Sequence, residues 1–278
     1  MVEARNYQKR GYLKEPFRLF HLRDIGVEEM EYHYHEFDKV VFFLEGEASY
    51  IIEGRSYTLQ PWDVLLVGHH MIHKPVIDPS HPYERIVLYL DPALLSEGGE
   101  DLSPCFQRAV KQQFALMRPR GSDRNELERL LTGLEDAMAD RAFASELLAR
   151  TWLLQLLIWL NRLQARDRTS QEEGIIQFDP KIARVLAHIN TELSSDLSVD
   201  ALANLAYTSK YHFMRLFREQ TGYSVHQYVN EKRLLAAAAL LREGVAAQEA
   251  ALRCGFQDYS TFHRAFKRQF GVTPRQAR

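Results

Sequence analysis

Between Phe17 and Leu90, short β-branched and aromatic runs alternate with turn signals. The pattern predicts strands over residues 18–22, 29–35, 40–44, 48–53, 56–59, 64–67 and 85–90,. Glu45-Gly46 and Glu53-Gly54-Arg55 read as hairpin turns, and Pro61-Trp62-Asp63 as a turn into the next strand,. Many short strands at this spacing predict a sandwich or barrel. From Ser122 the period lengthens. Leu127, Leu130, Leu131, Leu134 and Met138 recur at helical spacing, and a second helix over 142–164 is apolar most of the way round. Such a helix needs cover on more than one side: either it is an internal core helix, or one side packs on the barrel and the other on a second subunit. Residues 166–174 are charged, polar and aperiodic, as in a linker,. Beyond them Ile182, Val185, Leu186 and Ile189 mark one face of a helix over 181–193.

The last quarter of the chain contains one unit twice. Phe213, Arg215, Phe217, Arg218, Gln220 and Gly222 recur 49 residues later as Phe262, Arg264, Phe266, Lys267, Gln269 and Gly271. Upstream, Leu202-Ala203 recurs 48 residues later as Ala250-Ala251. A repeat of this length marks a duplicated supersecondary unit. Each copy reads as helix, tight turn, helix, with the second helix shaped for a DNA major groove. Ser198 and Ser209 are N-cap residues in the first copy, and Gly222 closes its second helix,. In the second copy Gly255 supplies the turn and Asp258 the N-cap. A single helix over 224–241 joins the two; about 18 residues span about 27 Å, near the ~34 Å between neighbouring major grooves on one face of DNA.

The second helix of each copy presents a polar face. In the first it carries Lys210, Tyr211, Met214, Arg215 and Arg218; in the second, Asp258, Tyr259, Ser260, His263, Arg264, Lys267 and Arg268. Arg215 and Arg264 suit bidentate pairing with guanine. Lys210, Arg218, Lys267 and Arg268 suit phosphates, which position a protein without specifying sequence.

Charge supports this division. The 278 residues carry a net charge of −2, yet residues 181–278 hold 14 Lys+Arg against 8 Asp+Glu, which leaves −8 on the remainder. A basic end on an acidic body fits a polyanionic partner at that end. Cys105 and Cys254 are far apart and lack metal spacing, which predicts a reduced protein without a disulfide,. The first 18 residues have no apolar core of a signal peptide, and residues 152–160 are too few for a membrane span, so a cytoplasmic protein is expected,.

Three histidines mark the N-terminal part. His33 and His35 lie two apart and point to one face of a strand; His73 follows the 64–67 strand,. His-x-His followed by a later single His resembles the cupin barrel, with Gly46 closing the first motif. Trp62, Gly68 and His70 stand where the second motif usually has Gly, Pro and Gly. The metal-binding form of that barrel carries a Glu where this chain has Lys39. The expected site is therefore a polar pocket of His33, His35, Lys39 and His73 for a small-molecule effector, without a cofactor. The alternatives are a divalent metal on His33, His35 and His73, or imidazoles that bind nothing.

Leu202-Ala203, Ser209, Phe213, Phe217-Arg218, Gly222, Arg233-Leu234, Ala237, Leu241, Gly255-Phe256, Phe262, Phe266-Lys267, Gly271 and Thr273-Pro274 together resemble the DNA-binding domain of the AraC family of transcription regulators. Ala246 and Ala247 depart from the Ser and Ile usual there. The resemblance implies a multidomain α+β protein. Its parts are a cupin-like effector barrel over 1–96, a helical connector over 97–170, a linker over 171–180 and an all-α domain with two helix-turn-helix units over 181–278. It further implies a cytoplasmic homodimer that binds double-stranded DNA and a sugar or other polar metabolite, with RNA polymerase as a further partner. A metal-dependent cupin enzyme with an accessory DNA-binding domain, and a constitutive DNA binder whose barrel is only a scaffold, are the competing expectations.

Overall fold

The computed structural model describes residues 13–26, 30, 32–53, 55–69, 71–96, 99–111, 115–166, 175–176, 179–242 and 244–277. They fall into two compact units, Met1–Ile176 and Gln177–Arg278.

The first unit is built on strands β1 (Phe17–Asp24), β2 (Asp38–Glu45), β3 (Ala48–Ile52), β4 (Arg55–Thr58), β5 (Val64–Val67), β6 (His73–Ile77) and β7 (Tyr83–Leu90). A 3-10 turn (Pro92–Ser96), helix α1 (Pro104–Lys111), strand β8 (Leu116–Met117), helices α2 (Ser122–Ala139) and α3 (Ser145–Arg166) and strand β9 (Ile175–Ile176) follow. Two sheets form, ordered β1-β7-β2-β5-β8 and β6-β3-β4-β9. The five-stranded sheet is covered on both faces, so its central strands are apolar without alternation. Val40, Phe42, Leu66 and Leu88 pack against Leu127, Leu131, Leu153 and Leu157 of the helices. Val41 and Phe43, of opposite parity, pack with Tyr50, Ile52 and Tyr57 between the two sheets. Gly133 lets α2 and α3 approach closely; a Cβ there would stand 2.6 Å from Trp152.

The structure departs from the sequence reading in several places. Glu45-Gly46 is no hairpin, since β2 and β3 belong to different sheets. Gly46, at φ 124°, carries the chain across, and a Cβ there would meet the Pro82 carbonyl. Strand β6 was missed because Pro75 lies within it. His73 donates its N–H to His33 on the side away from β3, and two residues on the Pro75 nitrogen faces the same way, where the β3–β6 ladder needs no donor,. Part of the strand expected over 29–35 lies outside the described residues; of the rest, His33 forms only an isolated bridge to His73. The second long helix begins at Ser145, not at residue 142, because Ala144 takes φ 61°. The barrel also extends past residue 96: β8 pairs with β5, and β9 pairs with β4 inside the stretch read as linker. The rest of that linker, apart from Asp179 and Pro180, lies outside the described residues.

The second unit holds α4 (Pro180–Thr191), α5 (Val199–Leu205), α6 (Lys210–Thr221), α7 (Val225–Arg242), α8 (Ala247–Arg253) and α9 (Tyr259–Phe270). Helices α6 and α9 start and stop at matching repeat positions, and Gly222 (φ 75°) and Gly271 (φ 73°) close them identically. Ser198 caps α5 by accepting from the Ala201 N–H, whereas Ala246, its counterpart before α8, has no capping side chain. A missing cap of this kind costs about 1 kcal/mol. The rod α7 is fastened near its middle. Arg233 donates to the carbonyls of Leu193 (2.9 Å) and Ser195 (3.2 Å), and Gln269 donates to Glu231 (2.5 Å).

Burial pushes the Glu231 carboxyl up from 4.5 to about 7. The unfolded chain gives up this proton near the lower value, so ionisation weakens the fold progressively as pH rises through that window. Glu231→Gln removes the cost and keeps an oxygen for Gln269. The variant is expected to gain about 2–3 kcal/mol over the parent near pH 8 and nothing at or below about pH 4.5. Melting curves at the two pH values check this; a gap independent of pH contradicts it.

Candidate functional site

At one end of the space between the sheets, polar side chains from four strands meet. Lys39 on β2 stands across from Val67 of β5 and Tyr89 of β7. It shares its parity with Val41 and Phe43, and its Nζ lies 5.6 Å from the centre of the Tyr50 ring on β3. His73 opens β6 and exchanges backbone hydrogen bonds of 3.0 and 2.9 Å with His33. The ring centres of His33 and His73 are 4.3 Å apart, those of His35 and His73 5.0 Å, and those of His33 and His35 5.1 Å. His35 stacks on Phe37, which packs on Tyr89. The structure thus brings together all four residues that the sequence singled out for a pocket. Their exposures are 4% for His33 and His35, 7% for Lys39 and 0% for His73.

The electrostatics of this cluster follow from burial. The Lys39 amine is pushed down to about 7 by desolvation and then by Arg85. His73 is held well below the usual histidine range, first by desolvation and then by Lys39, His33 and His35. Nδ1 of His73 lies 2.9 Å from the Met71 carbonyl, which only accepts, so Nδ1 carries the proton and Nε2 the lone pair,. That Nε2 is buried and, among the described residues, makes no hydrogen bond. Asp38, next to Lys39, is engaged elsewhere: it accepts from the His69 backbone N–H at 2.7 Å and contacts the His69 ring at 2.8 Å.

The cluster offers one nitrogen set for a divalent metal. Ligand atoms of His33, His35 and His73 lie within 4.8 Å of one another, and the group contains no carboxylate. Three imidazoles match a zinc-type donor set. The charged side chain that acts on His73 is Lys39, a cation that opposes a divalent ion,. Neutral hydrogen-bonding chemistry and anion pairing suit the cluster better than metal ligation does.

In the second unit, Tyr211 (88% exposed) and Met214 (42%) stand on the outer face of α6, while Phe213 and Phe217 are fully buried. Arg215 shares this face and lies 3.7 Å from Glu219 and 3.4 Å from His212. Arg218 is exposed, and Lys210 is tied to Asp200 of α5 at 2.8 Å. On α9, Ser260, Arg264, Lys267 and Arg268 are exposed, His263 is half-buried beside Tyr259, and Phe262 and Phe266 are core. Asp258 is given to capping, since its carboxylate accepts from the Ser260 and Thr261 N–H groups at 3.2 and 2.7 Å. The Thr261 hydroxyl, donating at 2.6 Å, and then these N–H groups hold its carboxyl below the usual range. The two helices therefore present equivalent faces, register for register, with an arginine at the same position in each.

Two features of the site were not read from the sequence. Tyr50 and Tyr89 belong to the buried polar cluster; each has inward parity on its strand, but only strand pairing sets them beside Lys39. A groove of 880 Å³ runs beside the α9 face, lined by His226, Gln227 and Asn230 of α7 together with Asp258, Arg264 and Arg268. It joins the first turns of the rod to the basic face of α9.

Comparison with known proteins gives two family matches in one order along the chain. Residues 23–157 match an AraC-like ligand binding domain, and residues 202–278 a helix-turn-helix domain. The chain is 27% identical over 259 residues to the HTH-type transcriptional activator RhaS of Enterobacter sp. (strain 638), covering 88% of this chain and 86% of that one. It is 26% identical over 256 residues to RhaS of Escherichia coli (strain K12 / DH10B), with the same coverage. Among solved structures, the DNA-binding domain of AdpA in complex with a target DNA is 34% identical, with a TM-score of 0.34, covering 34% of this chain and 87% of that one. With a ligand-binding domain ahead of a doubled helix-turn-helix, the chain belongs to the AraC family of transcription regulators.

Proposed function

We propose that this protein is a cytoplasmic transcription activator that grips two successive major grooves of one DNA duplex with α6 and α9. The activity follows a small polar effector held in the barrel. The observation that carries this reading is the matched pair of helices: both arginine-bearing faces are exposed at the same repeat positions, on helices that precede and follow one helical rod in the chain. Arg215 and Arg264 read bases; Arg218, Lys267 and Arg268 hold phosphates, and Lys210 joins them on leaving Asp200,. The groove between α7 and α9 extends the phosphate-binding surface to His226, Gln227 and Asn230. The relatives named above are called transcriptional activators, which favours activation and RNA polymerase as the partner on the promoter.

In the barrel, His33, His35, Lys39 and His73 hold the effector, and no resident metal and no catalysis are assigned to them. Effector and DNA are linked because the effector favours one of two arrangements of the protein. A second copy of the chain completes the active form through the exposed apolar residues Phe143, Leu147, Leu148 and Ile158; a monomeric mass in solution removes that part of the reading. The test is a reporter gene driven by a duplex selected on the purified protein. His73→Ala is expected to bind that duplex as the parent does, while its reporter no longer responds to the growth substrate that induces the parent. A variant that responds like the parent reduces the barrel to a scaffold.

A further inference from the structure

The buried cluster also indicates which class of small molecule it takes, an inference that rests on the effector reading above. Among the described residues Lys39 makes no ion pair and no hydrogen bond, although only 7% of it is exposed. Among the described residues, the groups that act on Lys39 and His73 are a guanidinium, imidazoles, a phenol ring and the Met71 carbonyl, and none of them is a carboxylate. Arg85 is itself occupied, by Asp24 and by the Tyr83 carbonyl at 3.1 Å. Asp38 is turned to His69. An ammonium held out of water without a counter-charge costs several kcal/mol, and a protein core rarely retains one without use.

The second observation is the lone pair on Nε2 of His73. It is fully buried and, among the described residues, receives no hydrogen bond; it cannot donate, because Nδ1 spends the ring's proton on Met71. The site thus lacks two complementary things: a negative acceptor for Lys39 and a hydrogen-bond donor for His73. A divalent metal would answer the lone pair and clash with the ammonium. A neutral sugar would answer the lone pair and leave the ammonium uncompensated. A bare anion without a hydroxyl, such as chloride, would answer the ammonium and repel the lone pair.

We propose that the barrel binds a small hydroxy carboxylate, its carboxylate paired with Lys39 and its hydroxyl donating to Nε2 of His73. Tyr50 lines the site beside Lys39, with its hydroxyl 3.2 Å from that of Tyr83. Tyr50 also stacks on His73, with ring centres 6.5 Å apart. Binding of the acid supplies the missing counter-charge, so the amine becomes fully protonated in the complex and takes up a proton from solution.

The experiment is titration calorimetry on the full chain. The probes are glycolate and gluconate, each beside its neutral counterpart, ethylene glycol or glucose, with inorganic phosphate and Zn²⁺ as further arms. At least one acid is expected to bind about ten- to a hundred-fold more tightly than its neutral counterpart. Lys39→Met is expected to remove that preference while staying folded, since it replaces a buried ammonium by an apolar chain of similar length. The binding heat should also change with the ionisation enthalpy of the buffer, as net proton uptake requires. Tighter binding of a neutral counterpart, an acid affinity unchanged in Lys39→Met, or binding of phosphate or Zn²⁺ alone overturns the proposal. If glucose binds and alters DNA binding, the effector reading stands and the acid class falls. If no probe binds while the chain still grips DNA, both fall.

Discussion

Replacing Arg215 and Arg264 together by alanine is expected to cost about 2–6 kcal/mol of binding to a selected duplex, about 1–3 kcal/mol for each arginine. The two sit on separate helices, one in each repeat, so their contributions should nearly add,. Each lies on the outer face of a helix whose other side is anchored by a fully buried phenylalanine pair, Phe213 with Phe217 and Phe262 with Phe266. Removing the guanidinium therefore leaves the fold intact. Fluorescence anisotropy at one fixed salt concentration, with the selected and a scrambled duplex, measures the effect. The loss should be confined to the selected duplex. An equal loss on both would assign these arginines to phosphates and leave base reading to other side chains.

The second large effect concerns the barrel. Asp63 has no exposure and accepts a bidentate pair from Arg118, 2.8 Å to Nε and 2.9 Å to Nη2, along with the Gln60 N–H at 2.7 Å. Arg118 follows β8, so this pair ties the connector to the turn that begins β5. Breaking a buried pair from one side leaves an uncompensated charge and costs about 3–5 kcal/mol. Asp63→Ala is expected to lower stability by that amount, measured by denaturant unfolding followed through the tryptophans, with a smaller loss for Asp63→Asn. A loss for Asp63→Ala no greater than that for an exposed pair such as Arg124–Glu128 would show that the connector is held by apolar packing alone.

What could be read in advance depended on whether local pattern or partner choice decided the structure. The doubled unit was legible because each copy carries its own instructions. Phe213 and Phe217 fix one face of α6, Gly222 ends it, and the same residues recur for α9. Asp258 was legible as a cap, and the structure shows both carboxylate oxygens accepting from its own helix. Strand partners were not legible. Glu45-Gly46 looks like a hairpin turn locally and becomes a crossing between sheets only because β2 pairs with β5 and β7. Two-residue strands such as β8 and β9 have no period to detect. The histidine pair was visible through its spacing of two, and Lys39 through a departure from a motif. That Lys39 lies over Tyr50 and across from Tyr89 needed the register of three strands.

The central claim is that one chain holds two successive major grooves on a single face of DNA, one with each helix. Methylation interference on a selected duplex, bound in turn by the parent, Arg215→Ala and Arg264→Ala, tests it most directly. The account predicts two windows of interfering guanines about 10–10.5 base pairs apart, with one window lost in each variant. A single window, or two windows that both persist in both variants, would contradict it.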